Sequence, residues 1–341
     1  MGKPPRKCSN SDCNLALDGK CVEGYELEDC PHAGGISIDD IPVAEEPETR
    51  GVAPERTIAL ASGEALDRDA ASIHQRRRVS RTIGLIGPND SGKTSLIAGV
   101  YDLLQKGPVS GVAFAGSSTL IGFERVCHLA RAVSRRIVPH TERTSRGADA
   151  TFFHLDLHRD GAGVMSLFIG DRSGEDYLAA TDQISQAHQF FEVRRAGCVT
   201  VLVNGDHLAD PVLRHEVRAT TPQLVDTLIE ARAIREGCPL AIVLTKKDSV
   251  VASPHAERVQ KDFDGLVASI SASHETHLGE VKPFLIAASP KDCERVERGE
   301  GLEDLLLFWL QASSPNASVG VCPRPSFERM IDQLTNGRPD K

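Results

Sequence analysis

The chain has no run approaching about 18 consecutive apolar residues, the length a membrane-spanning helix needs, so no membrane span is expected. Met1-Gly-Lys-Pro-Pro-Arg6 lacks the apolar centre of a secretion signal, and a cytoplasmic location follows as an expectation. Gly2 follows Met1, but position 6 is Arg, where N-terminal acylation asks for Ser or Thr. A basic excess is missing as well. Lys and Arg number 39 against 48 Asp and Glu, giving a formal net charge of −9 and a pI near 5.8. Broad nucleic-acid or anionic-membrane binding needs a dominant basic face, and this balance argues against both. No internal repeat is evident. What remains is 341 residues with 40% apolar and 26% charged content, enough for one large domain or two small ones around a sizeable core.

The most informative stretch is Thr82-Ile-Gly-Leu-Ile-Gly-Pro-Asn-Asp-Ser-Gly-Lys-Thr94, an apolar run feeding G-x-x-x-x-G-K-T and then the helix-like Ser95-Leu-Ile-Ala-Gly-Val-Tyr. This pattern predicts a phosphate-binding loop between a strand and a helix. Gly87 and Gly92 permit close approach, so consecutive N–H groups can face phosphate oxygens beside a helix N-terminus. Asn89, Asp90, Ser91 and Ser95 complete the candidate cradle. Lys93 reaches the outer phosphates, and Thr94 offers its hydroxyl to Mg²⁺.

Ala241-Ile-Val-Leu-Thr-Lys-Lys-Asp248 is an apolar strand ending in T-K-x-D. A carboxylate at Asp248 can accept from both the ring N1–H and the exocyclic amino group of guanine, whereas adenine presents an acceptor at the equivalent edge. Lys246 can lay its aliphatic stem along the base, and Thr245 closes the strand.

Gly163-Val-Met-Ser-Leu-Phe-Ile-Gly-Asp171-Arg-Ser-Gly174-Glu175 is a further buried-strand pattern, ending in D-x-x-G. The segment resembles the γ-phosphate sensor of GTPases, which implies that Asp171 holds Mg²⁺ through a water and that the Gly174 N–H reports the γ-phosphate. Thr151-Phe-Phe-His-Leu-Asp-Leu-His158 joins it through Arg159-Asp-Gly-Ala-Gly163, which predicts a hairpin. At Pro283-Phe-Leu-Ile-Ala-Ala-Ser-Pro290 a last strand, about 284–287, ends in small residues. The position is similar to the one where those GTPases carry Ser-Ala-Lys or a relative of it, and the resemblance implies a register in which Ala288 and Ser289 flank the base and the Ser289 N–H bonds the guanine O6; a one-residue shift would put Pro290 there, which has no N–H to give.

Strands and helices alternate between these motifs, with Cys198–Asn204 as a central strand and helices at 222–235, 254–270 and 302–310. The expected fold is a P-loop α/β domain, doubly wound around a mostly parallel sheet with one antiparallel strand. It should occupy 57–315, with a helix near 63–74 and a helical insertion at about 107–140 in which Val126, Leu129, Ala130 and Val133 recur at helical spacing. Within Pro139–Gly147, Thr144 is the preferred threonine to complete the Mg²⁺ shell, with Thr141 as alternative, and Arg143 is a candidate internal arginine finger. Arg76, Arg77 and Arg78 read as a solvated lead-in to the first strand.

The N-terminus is different. Cys8, Cys13, Cys21 and Cys30, followed by His32, crowd into residues 1–35. In a reducing compartment such clustering suggests a tetrahedral Zn²⁺ knob, with His32 able to replace Cys30; a redox pair or an unstructured tail are the other readings. An acidic, proline-containing linker at 36–56 follows, and a tail at 316–341 closes the chain. Cys127, Cys198, Cys238, Cys293 and Cys322 are scattered and read as small buried hydrophobes.

The ordered set Gly87–Thr94, Asp171–Gly174 and Thr245–Asp248 resembles the translation-factor-related (TRAFAC) GTPases over about residues 80–312. Phe114-Ala-Gly-Ser-Ser-Thr-Leu-Ile-Gly-Phe-Glu124, Pro139-x-Thr-x-Arg-Thr144 and Asp171-Arg-Ser-Gly-Glu175 are similar to the bacterial double-GTPase family of conflict and defence systems. That resemblance implies a nucleotide-controlled switch using GTP, GDP and Mg²⁺ within a multi-protein system, with a second GTPase or an effector as partner. Glu175 stands where related enzymes carry a water-orienting glutamine, which implies slow turnover without a partner. A GTP-binding scaffold with little catalysis is the alternative, and an ATP-dependent kinase or motor would make poor use of Asp248.

Overall fold

The computed structural model describes residues 62–130, 149–161, 163–291 and 295–311. The described elements begin with α1 (Arg68–Gln75), β1 (Ser80–Ile86), α2 (Lys93–Gln105), β2 (Val112–Gly116), α3 (Leu120–Ala130), β3 (Thr151–Arg159) and β4 (Gly163–Asp171). They continue with α4 (Gly174–Asp182), α5 (Ile184–Ala187), α6 (Phe191–Arg194), β5 (Cys198–Asn204), α7 (Gly205–Ala209) and α8 (Leu213–Glu230). β6 (Cys238–Thr245), α9 (Lys247–Ala252), α10 (Ala256–Ser273), β7 (Leu278–Leu285) and α11 (Leu302–Gln311) complete them.

The strands form one seven-stranded sheet in the order β2-β3-β4-β1-β5-β6-β7. β1 pairs in parallel with β4 and β5, and β5-β6-β7 continue in parallel. β3 runs antiparallel to both neighbours, so β2 shares the direction of the remaining strands and β3 alone is reversed. The β3–β4 hairpin is the expected one, in register from Thr151↔Asp171 to Arg159↔Gly163.

β5 and β6 are buried at every position, because helices cover both faces of a parallel sheet; this is why they read as unbroken apolar runs. Alternation divides each strand between two cores. Ile83, Leu85, Ala241 and Val243 face α2, α3 and α11, meeting Leu96, Tyr101, Phe123, Leu305 and Trp309. Val199, Val201, Val203, Leu240 and Ile242 face the other way, against Leu224 and Leu228 of α8 and Val259 and Phe263 of α10. Each large side chain so buried contributes about 1.5–3 kcal/mol. The buried Trp309 indole N–H donates to Thr200 Oγ1 at 2.8 Å, and Arg81 Nη1 donates to the Trp309 carbonyl at 2.7 Å, one of the carbonyls that a helix end leaves without a partner.

Several boundaries differ from expectation. α8 begins at Leu213, where Asp210 Oδ1 accepts from the Val212 and Leu213 amides at 2.7 and 2.9 Å, and Pro222 lies inside the helix; a proline favours helix starts, and that drew the expected boundary too late. The last strand spans 278–285 rather than 284–287. It is an edge strand with Glu280 and Lys282 on its exposed side and Pro283 tolerated, so it lacks the apolar run that marks its neighbours. α1 starts at Arg68 with Asp67 Oδ1 capping Ala70 N at 2.8 Å. The insertion contains a strand, β2, that the sequence did not announce, and its helix α3 starts at Leu120. Thr119 Oγ1 fixes that start by accepting from His154 N at 2.9 Å and donating to His154 O at 3.3 Å. Phe123 and Cys127 of α3 are buried, as are Cys198 and Cys238.

Candidate functional site

The three motifs converge at the C-terminal ends of β1, β4, β5 and β6, where ligands of open α/β sheets bind. β1 delivers Gly87, and α2 begins at Lys93. The turn between them uses left-handed backbone at Asp90 (φ 58°) and Gly92 (φ 91°); glycine has no Cβ to oppose this, and Asp is among the few side chains that tolerate it. A Cβ on Gly87 would sit 2.7 Å from Ser91 Oγ, which itself donates to the Pro88 carbonyl at 2.8 Å. The result is a tight ring of backbone ahead of a thirteen-residue helix, whose first N–H groups have no intrahelical acceptor and suit an anion. Lys93 Nζ lies across this ring, donating to Gly87 O at 2.8 Å and Pro88 O at 3.0 Å. Burial pushes its ammonium down to about 8, while the nearby Asp171 carboxylate pulls the other way. Thr94 and Ser95 follow, half-buried, in the first helical turn.

Asp171 ends β4 beside β1 and is buried. Ser173 starts α4, its Oγ accepting from Glu175 N at 3.3 Å. Gly174 packs directly on the phosphate-loop main chain, where any Cβ would collide with Pro88 and Asn89. Asn89 Nδ2 donates to Glu175 Oε1 at 2.9 Å, so this side chain turns toward the sensor. Behind the sensor, Arg172 Nε donates to Glu192 Oε1 at 2.7 Å and Tyr177 Oη donates to the same oxygen at 2.9 Å. Burial alone would lower the Arg172 guanidinium, but the hydrogen bonds and charge of the fully buried Glu192 outweigh it and raise it. Burial, then the Glu192 charge, pushes the Tyr177 phenol well above its usual range.

Thr245 links the third motif to the first: its Oγ1 reaches Ser91 O at 2.9 Å and Val203 O at 3.2 Å. Lys246, left-handed at φ 56°, places Nζ 2.8 Å from Asp90 Oδ2 and 3.2 Å from Asp206 Oδ2. Asp248 is buried, and its Oδ2 accepts the Lys291 main-chain N–H at 2.8 Å, drawing the loop after Ala288 and Ser289 onto the carboxylate. Sequence reasoning missed Asn204, whose Nδ2 donates to Asp90 O at 3.0 Å while its Oδ1 caps α7, and Asp206. Burial would raise the Asp206 carboxyl, but Ser249, Lys246 and Lys291 outweigh it and hold it low. Only an Asn at the end of a central strand hinted at either.

The model of the Double-GTPase 2 family matches residues 81–310. The chain belongs to that family. No curated protein matches it. Among solved structures, this Double-GTPase 2 member is similar at 15% identity to the Roco2 RocCORdC fragment of Methanosarcina barkeri bound to GDP. The similarity covers 70% of this chain and 51% of that one, with a TM-score of 0.34; the chain thus spans about half the length of that structure.

Thr94 and Asp171 supply a hydroxyl and a carboxylate, hard oxygen donors of the kind Mg²⁺ prefers, and Lys93, the residue before Thr94, feels the Asp171 charge. Thr141, Arg143 and Thr144 lie outside the described residues, as do Cys8, Cys13, Cys21, Cys30 and His32. Among the described residues no group of three His, Cys, Asp or Glu could hold a metal ion, and no helix is long and apolar enough to cross a membrane.

Proposed function

We propose that this Double-GTPase 2 member binds GTP with Mg²⁺ and hydrolyses it as a molecular switch within a bacterial multi-protein conflict, defence or signalling system. The observation that carries the reading is the bracing of the phosphate loop by Thr245, which ties a phosphate cradle and a buried, pre-oriented carboxylate at Asp248 into one rigid unit. Backbone amides of Gly87 to Thr94 bind the phosphates, Lys93 swings from the Gly87 and Pro88 carbonyls to the outer phosphates, and Asp248 selects guanine. Thr94, Asp171 and Thr144 would hold a Mg²⁺ ion, which when bound would supply neutralisation of the charge on the transferred phosphoryl group. Gly174 senses the γ-phosphate, and Arg143 is the candidate for cancelling transition-state charge. Ala288 and Ser289 close over the base edge.

Glu175 in the water-orienting position supports a second reading, a GTP-binding scaffold with little catalysis. Binding of GTP, GDP and ATP to the purified chain, followed by single-turnover hydrolysis with and without partner proteins, tests both. Tight GTP and GDP binding with weak ATP binding is expected; equal affinity for ATP overturns the guanine assignment, and no turnover under any condition leaves the scaffold. We also propose that Cys8, Cys13, Cys21 and Cys30 or His32 hold one Zn²⁺ in a small N-terminal knob. Metal analysis of the purified chain should find zinc that disappears on Cys13→Ser with Cys21→Ser, and zinc-free protein overturns this.

A further inference from the structure

The structure assigns the Asn89 side chain the role of positioning Glu175, while its backbone amide stays in the phosphate cradle; the inference rests on the GTPase reading above and names a residue on which its catalytic step depends. Asn89 occupies the phosphate loop between Pro88 and Asp90, where backbone N–H groups serve the phosphates and leave the side chain for other contacts. Its amide instead donates to Glu175 Oε1 at 2.9 Å. Gly174, the residue before Glu175, packs so closely on the main chain of Pro88 and Asn89 that a Cβ would have no room. Two independent contacts therefore fasten the sensor loop to the phosphate loop, one between side chains and one between backbones.

The chemistry fits the pairing. A carboxylate has only acceptors to offer and must be held by donors. A neutral amide N–H restrains one carboxylate oxygen of Glu175 through a directional hydrogen bond. That geometry turns Glu175 into an oriented acceptor for a water's proton, and it partly offsets a negative charge placed near a triphosphate. Ser173 Oγ, bonded to the Glu175 amide at 3.3 Å, holds the same residue from its backbone side. Both contacts lie on an α4 N-terminus that is already anchored by the buried Arg172–Glu192 pair, so Asn89 acts on a restrained partner.

The test is a double-mutant cycle on the full chain using Asn89→Ala, Glu175→Ala and both together, reading GTP and GDP affinity and the single-turnover hydrolysis rate. Each single variant should lose about tenfold in rate, the size expected for one charge-assisted hydrogen bond. GTP and GDP affinities should stay within about twofold, and the double variant should be no slower than the slower single. An unchanged or faster rate in Asn89→Ala overturns the proposal, as does a loss of GTP affinity that matches the loss in rate, which would make Asn89 a phosphate ligand. A double variant slowed by the product of the two single effects also overturns it. If wild type turns GTP over while Asn89→Ala behaves like it, only this inference fails; wild type that cannot bind or hydrolyse GTP defeats the parent reading together with it.

Discussion

Replacing Asp248 with Asn changes one acceptor oxygen into a donor while leaving size and shape alone. The structure decides which oxygen that is. Asp248 Oδ2 accepts the Lys291 main-chain N–H at 2.8 Å in a buried setting, so an asparagine there turns its own oxygen to Lys291 and its NH₂ to the base. Guanine presents two donors at that edge, N1–H and the 2-amino group, and one of them then faces a donor. A hydrogen bond to a charged group contributes about 1.5–3 kcal/mol, and about 1.4 kcal/mol is a factor of ten. Affinity for GTP and GDP should fall by about 10- to 150-fold, with the donor–donor clash adding to the loss. Xanthine carries a carbonyl in place of the 2-amino group, so XTP should gain affinity in Asp248→Asn. Competition titrations of GTP, XTP and ATP against a fluorescent guanine nucleotide, on both proteins, measure this directly. A GTP loss below about threefold, or no gain for XTP, would refute the placement of this carboxylate against the base.

Gly174→Ala should abolish hydrolysis while sparing GDP affinity, because a Cβ meets the Pro88–Asn89 main chain and keeps the sensor from seating; retained single-turnover rates would count against that packing. Arg172→Ala leaves the fully buried Glu192 without its cation and should cost about 3–5 kcal/mol in urea unfolding, and a change under about 1 kcal/mol would place the pair among the dispensable ones. Lys93 sits near 8 in the free protein because of burial, and phosphate charge raises it. The sign follows: nucleotide binding is proton-neutral below about pH 8 and takes up a proton above it, so GTP affinity is flat below that pH and falls by up to about tenfold per unit above it. Calorimetry in buffers of different protonation enthalpy, at about pH 7 and pH 8.5, reads the proton uptake, and its absence at the higher pH would refute the shift.

The sheet was legible in the sequence where both of its faces are covered. β5 and β6 are unbroken apolar runs because no position on them meets water, β1 and β4 are buried from Thr82 and Ser166 onward, and the hairpin announced itself through a glycine-bearing turn between two apolar strands. β7 and β2 were harder, since edge strands mix charge and small residues and share patterns with loops. Pro222 misled because its helix-start preference gives way to the packing that runs α8 from Leu213.

Local chemistry in the chain itself marked the candidate phosphate loop, the D-x-x-G turn and the T-K-x-D aspartate, since backbone freedom at Gly87 and Gly92 and a carboxylate after β6 are properties of residue type and order. Tertiary structure alone decided what braces them. Thr245 on Ser91, Asn204 on Asp90, Lys291 on Asp248 and Asn89 on Glu175 join residues far apart in the chain. No spacing rule encodes such pairs, because they exist only once β1, β4, β5 and β6 lie side by side and bring their C-terminal loops within hydrogen-bonding distance.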